Sequence, residues 1–116
     1  MDAVTHDPLL AARAASLHDL SARRLADAAA VSVLEQAVSQ RRWWLLQWAD
    51  GAAFVAGLVA QDLQDTLFDH GVRWPRCTAC EQTAEHSLSL EPALDPAPRW
   101  VCSESGIDVA PLGELR

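Results

Sequence analysis

The chain is predicted to be an α+β protein, with N-terminal helices followed by a small antiparallel sheet built around a metal site. Three observations carry this. No Gly or Pro interrupts the sequence from Leu9 to Gln40, and helix formers dominate it. Val55, Val59, Leu63 and Leu67 recur every four residues, with Leu58 beside them, which is the apolar stripe of an amphipathic helix. All three cysteines lie between Cys77 and Cys102, in alternating and proline-rich sequence that suits short strands and turns.

Taken in order, Asp7 is a helix N-cap and Pro8 occupies the first helical position. One or two helices fill the stretch to about Gln40. Ser16-Leu17-His18-Asp19 also resembles a helix start, so any break is expected near Ser16. Leu17, Leu20, Ala28, Val31, Leu34 and Val38 form one stripe, interrupted by Arg24, that serves as a packing or dimer face. Arg41-Arg42 suits the negative end of a helix dipole. Trp43 to Trp48, with three tryptophans and two leucines in six residues, is expected to be a short strand buried on both faces. Asp50-Gly51 is a turn.

A second amphipathic helix is expected over residues 53–69, closed by Gly71 as C-cap. Its opposite side carries Gln61, Asp62, Gln64, Asp65 and Asp69 and reads as a solvated face. The division falls between a helical region, residues 1–72, and a metal-binding unit, residues 73–116. In that unit His86 to Leu90 alternates, and Pro92, Pro96 and Pro98 mark a loop that no regular element can cross. Arg99–Cys102 and Ile107–Ala110 are short strands flanking Ser105-Gly106.

Composition narrows the function classes. The chain has 116 residues and a net charge of −7, and every cation is an arginine. Residues 77–116 hold seven acids against Arg99 and Arg116, a poor match to phosphate backbones. The longest apolar run, Ala52 to Ala60, is too short to span a bilayer. Met1 to Pro8 carries two aspartates and no basic leader sequence, so the expected compartment is the cytoplasm, with no membrane partner. There a C-x2-C pair plus a third cysteine indicates metal or redox chemistry more than a disulfide framework. A thioredoxin-like site needs a helix after its cysteines, whereas turn and strand signals follow Cys80.

Zinc prefers four tetrahedral ligands drawn from thiolate and imidazole. Cys77 and Cys80 supply two from one tight turn, and Cys102 supplies a third from a distant turn completed by Gly106. Over about Arg73 to Leu112 this resembles the zinc ribbon family, whose two knuckles each read C-x2-C, commonly followed closely by glycine. Here Ser105 stands where the fourth cysteine would be, and neutral serine is a poor zinc ligand. His86 is the preferred replacement, giving C-x2-C-x5-H-x15-C; His70 and a carboxylate are the alternatives. The expected cofactor is a structural zinc ion, although thiolate sites also accept iron.

The chain is also similar to small, uncharacterised actinobacterial proteins that run W-P-x-C-x-x-[CH], then His, then W-V-C, and finish near V-A-P-x-G-x-L. The matching residues are Trp74-Pro75-Arg76-Cys77, Cys80, His86, Trp100-Val101-Cys102 and Val109-Ala110-Pro111-Leu112-Gly113. That resemblance implies a shared zinc fold and brings no activity with it.

The function expected is a non-enzymatic, zinc-stabilised protein-binding module, an adaptor or assembly subunit with a protein partner. Homo-oligomerisation is expected through the N-terminal helix, Leu17 to Val38. One alternative is a nucleic-acid-binding or transcription-associated zinc ribbon, in which Arg41, Arg42, Arg73, Arg76 and Arg99 converge with Trp43, Trp74 and Trp100. The other is a zinc-dependent hydrolase, with Cys77, Cys80 and Cys102 leaving an open metal position beside Glu81, Glu85 or Glu104. No catalytic residue is assigned, since no Ser-His-Asp context, P-loop or dinucleotide fingerprint is present.

Overall fold

A computed structural model describes residues 7–81 and 84–116. It shows three helices, α1 (Pro8–Ala22), α2 (Ala28–Gln47) and α3 (Val55–Asp69). A sheet of β1 (Ser89–Glu91), β2 (Arg99–Val101) and β3 (Asp108–Pro111) follows them. The strands lie in the order β1-β2-β3 and pair antiparallel throughout, so the α+β class is as expected. The leader reading of Met1 to His6 falls outside the described residues. Among those described, no helix is long and apolar enough to cross a membrane.

Asp7 caps α1 through the Leu9 N–H at 2.9 Å, with Pro8 in the first turn. The break between the first two helices does not fall near Ser16. Ser16 and Asp19 are buried inside α1, and the chain turns after Ala22 instead. Arg24 takes a left-handed φ of 59° there, and the Leu25 N–H donates back to the Leu20 carbonyl at 2.9 Å. This is a helix-ending turn of the kind glycine usually supplies. With arginine in that place, the sequence shows no break. Asp27 then caps α2 through the Ala30 N–H at 2.8 Å.

The strand expected over Trp43–Trp48 is not formed. Trp43 to Gln47 are the last turns of α2, and the Trp48 N–H closes them on the Trp44 carbonyl at 3.1 Å. Nothing between Ala28 and Asp50 breaks a helix, so propagation carries through the aromatic run. In a helix those residues point around the circumference instead of to two buried faces. Trp43 is therefore 66% and Leu46 78% exposed. Trp44 lies inward beneath the Arg41 guanidinium, 5.0 Å from its ring centroid. The same guanidinium grips Asp62 of α3 through two bonds of 2.7 and 2.9 Å. A 3-10 turn (Ala49–Phe54) leads into α3, whose stripe buries Val55, Val59, Leu63 and Leu67 as expected. Gly71 ends it at φ 82°.

The sheet turns one face to the helices. Leu90, Trp100 and Ala110 are register neighbours across the three strands, and all are buried. Trp74 and Trp100 meet edge to face, with centroids 5.3 Å apart, in one core that also contains Leu20, Leu34, Leu63 and Leu88.

Two polar side chains fix how the sheet sits on the helices. Asp19 is fully buried. Its Oδ2 accepts from Trp100 Nε1 at 2.8 Å and Gly113 N at 2.7 Å. Its Oδ1 accepts from Leu115 N at 3.0 Å and lies 2.8 Å from His18 Nδ1. Its main-chain carbonyl takes the Trp74 indole N–H at 3.2 Å. A buried carboxylate is tolerated only when its lone pairs are met in this way. From α3, the Gln64 amide donates to the Trp74 carbonyl at 3.1 Å and the Leu88 carbonyl at 2.8 Å.

Candidate metal centre

Two turns bring the cysteines together. Arg76 and Ser87 form an antiparallel bridge, in which the Cys77 N–H donates to the His86 carbonyl and the Leu88 N–H to the Pro75 carbonyl, both at 2.8 Å. This short ribbon holds the Cys77–Cys80 turn at one end and sets His86 opposite Cys77. The second turn follows β2. The Gly106 N–H closes it on the Cys102 carbonyl at 2.7 Å, and the Cys102 N–H bonds Ile107 at 2.9 Å. Gly106 sits at φ 78°, a conformation that favours glycine. Cys102 is fully buried there.

The result is a Cys77, Cys80, His86 and Cys102 cluster whose ligand atoms all lie within 4.8 Å of one another. No disulfide joins the three cysteines. Cys77 and Cys80 sulfurs are 3.8 Å apart, and His86 Nε2 lies 3.3 Å from Cys80 and 3.4 Å from Cys102. A tetrahedral zinc ion with ordinary bond lengths has edges of roughly 3.8 Å between sulfurs and 3.5 Å between sulfur and nitrogen. These three spacings are close to such edges, and the sulfurs lie far from the ~2 Å of a disulfide.

Neighbouring groups tune these side chains. His86 Nδ1 lies 2.9 Å from the Ala84 carbonyl, which places the N–H on Nδ1 and turns Nε2 towards the thiols. That carbonyl above all, then the Cys102 sulfur, raises His86 to about 9, against partial desolvation. The Ser105 hydroxyl above all lowers Cys102 to about 6, with desolvation opposing it and His86 and Cys77 assisting. Ser105 thus acts on the Cys102 sulfur from the position where a fourth cysteine was sought. Thiolate and imidazolium side by side carry a proton that an arriving cation displaces.

All four preferred ligands converge. His70 does not join them: it is the C-cap of α3 and lines a separate groove with Leu25, Val33 and Leu67. No carboxylate belongs to the cluster among the described residues, and Glu85 is paired with Arg76 at 3.2 Å. The convergent arginine and tryptophan surface of the nucleic-acid alternative is not assembled. Trp74 and Trp100 are fully buried, and Arg41 is committed to Asp62. Sequence reasoning missed Asp19 and Gln64, the side chains that hold the sheet and the Trp74 and Leu88 segments against the helices. The one available signal was an acid set within the apolar pattern Leu17 to Leu20, and it also reads as a helix start.

No curated protein and no solved structure matches the chain. A family model does, over residues 5–112, so the chain belongs to the family described as Domain of unknown function (DUF8819).

Proposed function

We propose that the chain is a non-enzymatic protein-binding module, an adaptor or assembly subunit, whose residues 73–116 are held by a structural zinc ion on Cys77, Cys80, His86 and Cys102. The observation that carries this is the convergence of those four side chains, their ligand atoms all within 4.8 Å of one another. With His86 as fourth ligand, the set is a closed Cys3His site of the structural kind, which removes the open position a hydrolase needs. Two turns joined by short antiparallel strands support a zinc-ribbon-like reading of this part. Three cysteines without a disulfide suit a reducing compartment such as the cytoplasm. The sheet strands are only three or four residues long. Metal binding, worth about 10–16 kcal/mol in small zinc peptides, would serve largely to fold them.

For the partner surface, Leu20, Leu34 and Val38 of the expected dimer stripe are buried within the chain. Asp62 and Gln64, on the polar side of α3, are also engaged internally. The exposed Trp43, Leu46 and Trp48, grouped at the end of α2, then serve as the apolar contact face. Whether the partner is a second copy is tested by sedimentation at high concentration. A monomer throughout excludes self-association and leaves a different protein as the partner.

The zinc role is tested by adding a high-affinity chelator to the native protein while following near-ultraviolet circular dichroism. Loss of the signal of the packed indoles Trp74 and Trp100, restored by zinc, is expected. An unchanged spectrum after the metal is removed contradicts a structural role.

A further inference from the structure

We propose that the cleft between the α1–α2 turn and residues 71–78 binds a phosphate group, as inorganic phosphate or a small phosphate monoester. The cleft holds about 490 Å³, room for a small metabolite. Three of the nine arginines line it, Arg23, Arg73 and Arg76, together with Thr78 and the apolar Leu25 and Val72. No carboxylate belongs to the lining, in a chain with a net charge of −7. The cleft shares no residue with the cysteine cluster.

Arg23 is the central group. As C-cap of α1 its backbone is fixed, and its Nη1 donates to the Arg76 carbonyl at 2.5 Å. Its Nε is buried and has no hydrogen-bond partner. A guanidinium that lines a cleft without a carboxylate partner is best met by an oxyanion. Among the described residues no carboxylate pairs with Arg23 or Arg73.

Arg73 is steadied by its π face instead, lying 5.7 Å from the Phe68 ring centroid, which leaves its N–H edge for a ligand. Arg76 has only Glu85, in a pair more than half exposed on both sides. Such pairs exchange readily.

Three guanidinium forks with a hydroxyl donor at Thr78 match the several oxygens and double charge of a phosphate better than a single carboxylate. The neighbouring cleft, across Arg23 and Thr78, is a weaker choice. It adds Arg99 and Arg116 but also Glu114, and Arg99 is bound to Asp108 at 2.6 Å. A nucleic-acid strand is disfavoured because no aromatic side chain lines the cleft for a base to stack on.

The test is a two-dimensional NMR titration of the intact protein with sodium phosphate at constant ionic strength, using chloride as control. Saturable shifts at the Leu25, Val72 and Thr78 amides, absent with chloride, are expected. Arg73→Gln should weaken the affinity about tenfold or more, the loss of a charge-assisted contact. Arg13→Gln, at the exposed pair with Glu35, should leave it unchanged.

Arg23→Gln should abolish binding, but it also removes a bond to the Arg76 carbonyl, so Arg73→Gln decides. Glycerol phosphate binding tighter than inorganic phosphate places an ester body on Leu25 and Val72. Equal affinity makes the free ion the ligand. No saturable shift, the same response to chloride, or unchanged affinity in Arg73→Gln overturns the proposal. Tighter binding of single-stranded RNA with a steep salt dependence also overturns it.

Discussion

Replacing Asp19 by alanine should be among the most damaging single changes this chain can suffer. Asp19 is fully buried, and its carboxylate meets Trp100 Nε1, Gly113 N and Leu115 N at 2.7–3.0 Å. Alanine leaves three donors without an acceptor, each costing about 1–3 kcal/mol in a buried setting. Relief from desolvating a carboxylate offsets part of that loss. Breaking buried charged networks by removing one member typically costs about 3–5 kcal/mol, and that is the expected value here. Against a total stability of about 5–15 kcal/mol, it would leave the protein marginal.

Asp19→Asn sharpens the test. One amide oxygen can keep the Trp100 and Gly113 bonds, but the amide nitrogen then faces the Leu115 N–H, donor against donor. A smaller loss, about 2–3 kcal/mol, follows. Urea unfolding followed by tryptophan fluorescence measures both, since Trp74 and Trp100 are core residues. An Asp19→Ala protein within about 1 kcal/mol of wild type would refute the idea that this carboxylate fastens the sheet to α1.

Gln64→Ala strands the Trp74 and Leu88 carbonyls and should cost about 1–3 kcal/mol in the same assay. Zinc affinity should rise with pH. His86, raised to about 9, must lose a proton to bind, while Cys102, lowered to about 6, is already thiolate above that value. Between these limits zinc binding therefore releases protons, measurable in weakly buffered titrations. Trp43→Ser should change stability by less than about 0.5 kcal/mol, as expected for an exposed side chain, while weakening any partner bound at that face.

The sequence was most legible where a single local force decides the outcome. The four-residue spacing of Val55, Val59, Leu63 and Leu67 leaves one way to bury them, and α3 does so. Asp7-Pro8 and Gly71 mark helix ends by capping chemistry, and both ends are found there. Cys77, Cys80, His86 and Cys102, read as candidate ligands from their types and spacing, do lie together.

Elsewhere local preference lost to context. The β-propensity of Trp43 to Trp48 gave way to continuation of a helix already nucleated upstream. The turn at Arg24 was hidden because a non-glycine residue adopts the left-handed conformation. The role of Asp19 depends on Trp100, Gly113 and Leu115, more than eighty residues away, so no window of sequence around it could reveal it.

The central claim, a structural zinc closed by four protein ligands, is tested most directly by elemental analysis of the purified protein and two variants. The account predicts one zinc per wild-type chain, none in Cys102→Ser, and a weakened site in His86→Ala that a competing chelator strips first. Iron in place of zinc, full metal content in Cys102→Ser, or unchanged affinity in His86→Ala would contradict it.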